Sequence, residues 1–191
     1  MKSIIVFCGS RDGYNEIYRE TAYQLGAVLA QKKIKVVYGG AKVGLMGALA
    51  EGVLDNNGEI VGIIPYFLKT KEIAHDNLTT LISVTTMHER KMQMYELGEC
   101  IIVLPGGWGT MDELFEVLTW GQLGLHSKPT GLLNVNGYYE PLVALCDNMV
   151  QEGFLDEPLN SNILIDGSIE DLLAQLAIKC LAAEEPDVKK K

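Results

Sequence analysis

LPGGWGTMDELFEVLTW occupies residues 104–120, and it reads as the end of a strand, a glycine loop and a helix. The run ECIIVL at 99–104 is apolar and β-branched, the composition of a strand buried on both faces. Pro105, Gly106, Gly107 and Gly109 follow, and Leu114, Val117 and Leu118 then fall on one helical stripe. Thr110-Met111-Asp112-Glu113 has the spacing of a capping box, in which a Thr N-cap and a Glu three residues later satisfy each other's backbone donors. Glu113 therefore has two readings, a helix cap or a catalytic carboxylate beside a bound phosphate. The segment alone is compatible with both.

The same strand–turn–helix alternation runs outward in both directions. Apolar, β-rich runs at 3–8, 35–38, 60–64, 80–84, 100–104, 130–134 and 162–165 predict strands. Between them, 15–31, 45–56, 87–97, 111–123, 139–152 and 169–181 predict helices. Gly58 and Gly98 stand just past two of these, where a left-handed C′ residue is wanted. Strands separated by single helices give right-handed crossovers and a parallel sheet covered on both faces. The expectation is one doubly wound, Rossmann-like α/β domain over residues 1–183, with 184–191 as a loose, lysine-ending tail.

The bulk composition narrows the function. A chain of 191 residues buries roughly 70% of its unfolded surface as a single domain. Its net charge is −9, and no basic run is longer than Arg90-Lys91 except the terminal lysines, so nucleic acid is not an expected partner. Any anion site must be local, which points to a small ligand. Cys8, Cys100, Cys146 and Cys180 are widely spaced and read as buried thiols in a reducing compartment. No signal-peptide pattern and no run of ~20 apolar residues is present, so a cytoplasmic protein is expected, with no membrane association.

In a doubly wound sheet, ligands sit outside the carboxyl ends of the strands. Several glycine turns are expected there: Gly9-Ser10-Arg11 after the first strand, Gly39-Gly40-Ala41 after the second, the 105–109 loop, and Gly131 nearby. Glycine lets backbone approach a ligand, and a following helix N-terminus offers free N–H groups to an anion. Together they indicate a nucleotide or sugar-phosphate site. The turn GSRDGYN is not GxGxxG, and no acidic residue ends the second strand, so dinucleotide binding is disfavoured. GGAKVGLMG lacks the Lys-Ser/Thr of a P-loop. His75, His88 and His126 lack metal-ligand spacing, so neither a metal nor another cofactor is expected.

A local rule is strained at the helix predicted over 87–97. Thr86 and Glu89 form a second capping-box pattern, but Arg90 and Lys91 then fall in or near the first turn, where the helix dipole disfavours cations. Either they belong to a solvated, salt-bridged helix start, or they face an anion at the sheet edge. An Arg90 near Glu113 would also relieve the charge that Asp112 and Glu113 bring to a phosphate cradle.

PGGWGTMDE (105–113), with MHERK (87–91) upstream, resembles the LONELY GUY family, whose signature is PGGxGTxxE. The resemblance extends to CGSR (8–11), YGGAKVGLMGALAEGVL (38–54) and LTWGQLGLHSKPTGLLNVNGYY (118–139). It implies hydrolysis of the N-glycosidic bond of a nucleoside 5′-monophosphate, a cytokinin nucleotide or AMP, to free base and ribose 5-phosphate, by a homodimer. The older family label, "lysine decarboxylase-like", finds no support in any pyridoxal-phosphate pattern here. The resemblance implies Arg90 and Glu113 as catalytic residues, and Glu72, Arg90, Lys91, Gly107 through Glu113 (Trp108, Gly109 and Thr110 among them) and Thr119 as nucleotide contacts. Gly9, Ser10, Gly39, Gly40, Gly106 and Met87 join them from the glycine turns and the helix start. In this reading Glu113 stabilises an oxocarbenium-like sugar or orients water, and Arg90 keeps it ionised. The alternatives are a non-catalytic nucleotide or cofactor carrier on the same fold, and a general purine-monophosphate nucleosidase.

Overall fold

The computed structural model describes residues 1–69, 73–159 and 163–184. Seven strands form one parallel sheet: β1 (Ser3–Phe7), β2 (Lys35–Tyr38), β3 (Ile60–Pro65), β4 (Thr80–Val84), β5 (Cys100–Val103), β6 (Thr130–Leu133) and β7 (Leu164–Asp166), ordered β4-β3-β2-β1-β5-β6-β7. The helices are α1 (Glu16–Gln31), α2 (Gly44–Asp55), the single turn α3 (Tyr66–Lys69), α4 (Met87–Leu97), α5 (Trp108–Gln122), α6 (Glu140–Gln151) and α7 (Ile169–Glu184).

β1 shows why the strands are continuous apolar runs. All five of its residues are buried, and they alternate between two cores. Ile4 and Val6 face the layer of α1, α2 and α7, while Ile5 and Phe7 face the layer of α4, α5 and α6. The chain leaves β1 through α1 on one face and β5 through α5 on the other. The adjacent ends of β1 and β5 are therefore the topological switch point of the sheet, where loops diverge and leave a crevice. This is the doubly wound fold expected from the alternation of strands and helices.

Four details differ from expectation. α5 begins at Trp108 rather than at 111. α3 and a 3-10 turn at Val135–Gly137 were not anticipated. Gly58 and Gly98 are not left-handed: Asn57 takes the positive φ of 54° after α2, and Gly98 has φ −116°. Both glycines are needed for closeness instead, since a Cβ would lie 2.5 Å from the Ala30 methyl carbon at Gly58 and 2.3 Å from Ile5 Cγ1 at Gly98. Gly131 lies within β6 beneath Leu172 of α7, away from the ligand edge. Residue 162 and residues 185–191, within the expected last strand and tail, lie outside the described residues. All four cysteines are buried and none is disulfide-bonded. No helix among the described residues is long and apolar enough to cross a membrane.

α1 and α2 meet backbone to backbone. A Cβ on Gly52 would lie 2.0 Å from the Tyr23 carbonyl oxygen, and one on Gly26 would lie 2.3 Å from that of Leu49. Gly52→Ala gains up to ~1 kcal/mol of helix propensity, but overpacking against rigid backbone costs roughly 1–3 kcal/mol. The expected outcome is a lower Tm, by roughly 2–4 °C per kcal/mol. Gly121→Ala, whose added Cβ meets only the His126 ring at 3.6 Å, holds or raises it. A melt placing Gly52→Ala at or above the parent protein overturns this account of the helix contact.

Candidate active site

Arg90 enters the crevice from the first turn of α4. Thr86 caps that helix, its hydroxyl accepting from Glu89 N at 3.1 Å, and the Glu89 carboxylate accepts from Thr85 N at 2.7 Å. With the helix start fixed, the Arg90 side chain runs inward and is 8% exposed. Its Nε donates to the Ile63 carbonyl of β3 at 3.0 Å. A Cβ on Gly39, at the end of β2, would stand 2.0 Å from its Nη2, so only glycine leaves the guanidinium this path. Nη1 then lies 3.3 Å from Glu113 Oε1. The neighbouring Lys91 pairs with Asp112 at 3.1 Å and Glu116 at 2.9 Å. The cations misplaced at the start of α4 are thus answered by carboxylates of α5.

Glu113 is no cap. The N-cap of α5 is Gly107, with no side-chain cap hydrogen bond, and no acidic residue falls in the first turn. Thr110 sits inside that turn, buried, and a Cβ on Gly106 would lie 2.0 Å from its hydroxyl oxygen. Glu113 is 6% exposed, and its Oε1 accepts no hydrogen bond among the described residues. The 3.3 Å approach of Arg90 is an ion pair by distance without hydrogen-bond alignment. Burial pushes the Glu113 pKa from its ordinary 4.5 up to about 7, against the pull of Arg90 and then Lys91. This corrects the expectation that Arg90 holds the carboxyl well ionised: desolvation outweighs the ion pair. A carboxyl poised near neutrality is suited to proton transfer. Cys8 lies at the same place, and burial, then Glu113, raises its pKa, so it is no thiolate nucleophile.

The loop between β5 and α5 has its carbonyls tied back. Leu104 O accepts from Tyr139 Oη at 2.7 Å, Pro105 O from Gly9 N at 3.0 Å, Gly106 O from Tyr138 Oη at 2.5 Å and Gly107 O from Met111 N at 3.0 Å. No peptide here is cis, and in a trans peptide the N–H opposes the carbonyl. The N–H groups of Gly106, Gly107 and Trp108 therefore turn away from these partners. Those of the first turn of α5 have no intrahelical acceptor. A Cβ on Gly107 or Gly109 would meet nothing within 4 Å. The result is a row of donors facing open space, an anion cradle of the helix N-terminal kind.

These parts share one cavity of about 840 Å³. Of the residues expected from sequence, Gly9, Ser10, Gly39, Met87, Arg90, Gly106, Gly107, Trp108, Gly109, Thr110 and Glu113 line it. Gly40, with φ +77°, packs behind it against β3. Lys91 points to its α5 partners rather than to the cavity. Thr119 is exposed, its hydroxyl donating to Phe115 O at 2.7 Å, and it lines a second groove of about 860 Å³. That groove is marginally larger but carries neither a glycine loop nor a buried ion pair, so the chemistry belongs to the first. Glu72 lies outside the described residues. Arg11, of the first glycine turn, lines the first cavity too, and sequence reasoning missed Tyr138 and the apolar wall of Met46, Ile64, Leu68 and Ile73. The YY after NVNG was the one available signal for Tyr138.

A family model described as "possible lysine decarboxylase" matches residues 46–176. A cytokinin riboside 5′-monophosphate phosphoribohydrolase of Rhodococcoides fascians is 47% identical over 92% of this chain and 89% of its own length. One of Arabidopsis thaliana is 43% identical over 92% of this chain and 82% of its own. The chain belongs to the LONELY GUY family. Among solved structures, the molybdenum cofactor binding protein of Rippkaea orientalis superposes with TM-score 0.69 at 23% identity, over 93% of this chain and 97% of that one. At that identity the likeness is one of fold.

The raised Glu113 pKa has a consequence for stability. Between 4.5 and about 7 the folded state holds a proton that the unfolded chain has released, so this group's contribution to stability falls as pH rises through that window. Glu113→Gln removes the titration. It also leaves Arg90 unpaired, a cost that does not vary with pH. Between pH 5 and pH 8 the stability of the Gln variant should therefore rise relative to the parent by on the order of a few kcal/mol. Denaturant melts at both pH values check this, and an unchanged difference overturns the raised pKa.

Proposed function

We propose that this LONELY GUY protein hydrolyses the N-glycosidic bond of a nucleoside 5′-monophosphate bearing adenine or a cytokinin-type base. The observation that carries the reading is the buried Arg90–Glu113 pair, with one carboxylate oxygen that accepts no hydrogen bond, beside a row of outward N–H groups. The N–H row suits the 5′-phosphate, supplying binding energy remote from the breaking bond. Glu113, ionised, would take a proton from the water attacking C1′ and stabilise the developing positive charge of the sugar. As the C1′–N bond breaks, the departing base takes up that proton, leaving free base and ribose 5-phosphate. Arg90 aligns Glu113. The apolar wall of Met46, Leu68 and Ile73 favours a base carrying an apolar substituent over bare adenine. A pure carrier, the rival reading, has no need of a buried carboxyl poised near neutrality.

A homodimer fits the exposed Phe115, Leu123 and Leu125 along and just past α5, and four buried cysteines without a disulfide fit a reducing, cytoplasmic setting.

Purified protein incubated with AMP and with isopentenyladenosine monophosphate should release free base, measured by chromatography. Glu113→Gln and Arg90→Ala should each cut kcat/KM by roughly 10²–10³. Tight nucleotide binding with no release from either substrate overturns the reading. The ionised form of Glu113 is the working one here, so kcat/KM should rise with pH through about 7, above the ~6 of the substrate phosphate itself. A profile falling through that range would instead make Glu113 the acid.

A further inference from the structure

We propose that Tyr138 is a positioning residue whose hydroxyl, by holding the Gly106 carbonyl, points the Gly107 N–H at the ligand and so sets the preference for phosphorylated over unphosphorylated nucleosides. This rests on the reading of the cavity as a nucleotide site. The Gly106–Gly107 peptide joins two residues without a Cβ, so its rotation meets little steric resistance. Rotated, it would turn a carbonyl oxygen instead of an N–H toward an anion, replacing attraction with repulsion. The carbonyls on either side are restrained by other means. Gly9 N holds Pro105 O, and the helical bond from Met111 N holds Gly107 O. Only the Tyr138 hydroxyl, at 2.5 Å, holds the Gly106 carbonyl among the described residues.

The tyrosine is itself held rigidly. Its ring meets Tyr139 edge-on at 5.0 Å and Tyr18 at 5.9 Å. The turn before it is fixed by left-handed Asn136 and Gly137 and by Asn134, whose Oδ1 accepts from Tyr139 N at 2.7 Å and whose Nδ2 donates to Glu140 at 2.8 Å. Yet Tyr138 is 39% exposed and lines the cavity. Water can replace its hydrogen bond, so the bond adds little to fold stability. What it adds is direction. The two adjacent tyrosines thus divide the work: Tyr139, buried, holds Leu104 O at the strand end, and Tyr138 holds the peptide that faces the ligand.

Tyr138→Phe removes one oxygen and keeps the ring. Its Tm should stay within about a degree of the parent, because the lost bond is water-accessible. KM for AMP should rise roughly 3- to 10-fold, the loss of one hydrogen bond's worth of orientation, with kcat changed less than about 2-fold. The kcat/KM ratio of AMP to adenosine should fall by the same factor. Calorimetric titration with ribose 5-phosphate should weaken equally, and this readout does not depend on turnover. In amide NMR, the Gly107 N–H shift induced by ribose 5-phosphate should shrink in the variant. Equal losses for AMP and adenosine, or unchanged ribose 5-phosphate binding and Gly107 shift, overturn the assignment while leaving the hydrolase reading intact. A parent protein that binds ribose 5-phosphate through Gly107 but releases no base overturns the hydrolase reading instead, and the titration then still reports on Tyr138.

Discussion

The site is organised around one expensive contact, the ion pair of Arg90 and Glu113. Burying both charges costs several kcal/mol per ion before attraction repays it, and such pairs are often no more stabilising than apolar residues of the same size. Here the repayment is incomplete, since Glu113 Oε1 lies near Nη1 but accepts no hydrogen bond. Much of the surrounding structure serves to hold this pair. Gly39 gives up a side chain to make room, the Ile63 carbonyl accepts from Nε, and Thr86 and Glu89 fix the helix start from which Arg90 departs. Fold stability alone does not account for that arrangement. A carboxylate oxygen left ready for another partner does.

The electrostatic balance within the pair runs against a simple pairing rule. A guanidinium at ion-pair distance lowers a carboxyl pKa, and by itself it would leave Glu113 a weak base at neutral pH. Burial acts in the opposite direction and is the larger effect. Arg90 therefore does not so much ionise Glu113 as keep its pKa from climbing out of reach. Lys91 pulls in the same direction as Arg90, and the carboxylates of Asp112 and Glu116 that pair with it push back. The pKa near neutrality results from burial and ion pairing acting in opposite directions, as is usual where a carboxyl must exchange protons.

The strands were legible because parallel strands buried on both faces read as unbroken β-branched runs, and SIIVF and CIIV are such runs. The site was legible where local rules were strained, as with Arg90 and Lys91 at a helix start. Where a local rule was satisfied, it misled. Thr110 and Glu113 have capping-box spacing, but α5 starts three residues before the predicted 111, at Trp108 with Gly107 as its N-cap, which puts Thr110 in the first turn and Glu113 beyond it. Gly58 and Gly98 follow helices as C′ glycines do, yet both answer to close packing with Ala30 and Ile5, contacts far away in sequence. Tyr138 was missed for the same reason: its partner lies 32 residues back, at Gly106. Spacing within a segment reports on caps and faces, and does not report which carbonyl a distant hydroxyl will hold.

The chain carries a net charge of −9, and most cations around the cavity are already engaged. Arg90 answers Glu113, Lys91 answers Asp112 and Glu116, Lys42 answers Asp76, and Arg19 answers Asp12 and Glu51. Arg11, exposed at the rim, is the exception among the described residues. A phosphate held chiefly by backbone N–H groups makes sense of this economy of charge. A lysine or arginine placed at the cradle would lower the Glu113 pKa further and compete with its pairing to Arg90. Peptide dipoles bind an anion with little effect on the net charge seen by the carboxyl. Their drawback is that a peptide unit can turn over, which a side-chain cation cannot do in any way that reverses its sign. A site built on glycine peptides therefore needs each carbonyl restrained, and four consecutive carbonyls, from Leu104 to Gly107, are restrained by hydrogen bonds from Tyr139, Gly9, Tyr138 and Met111.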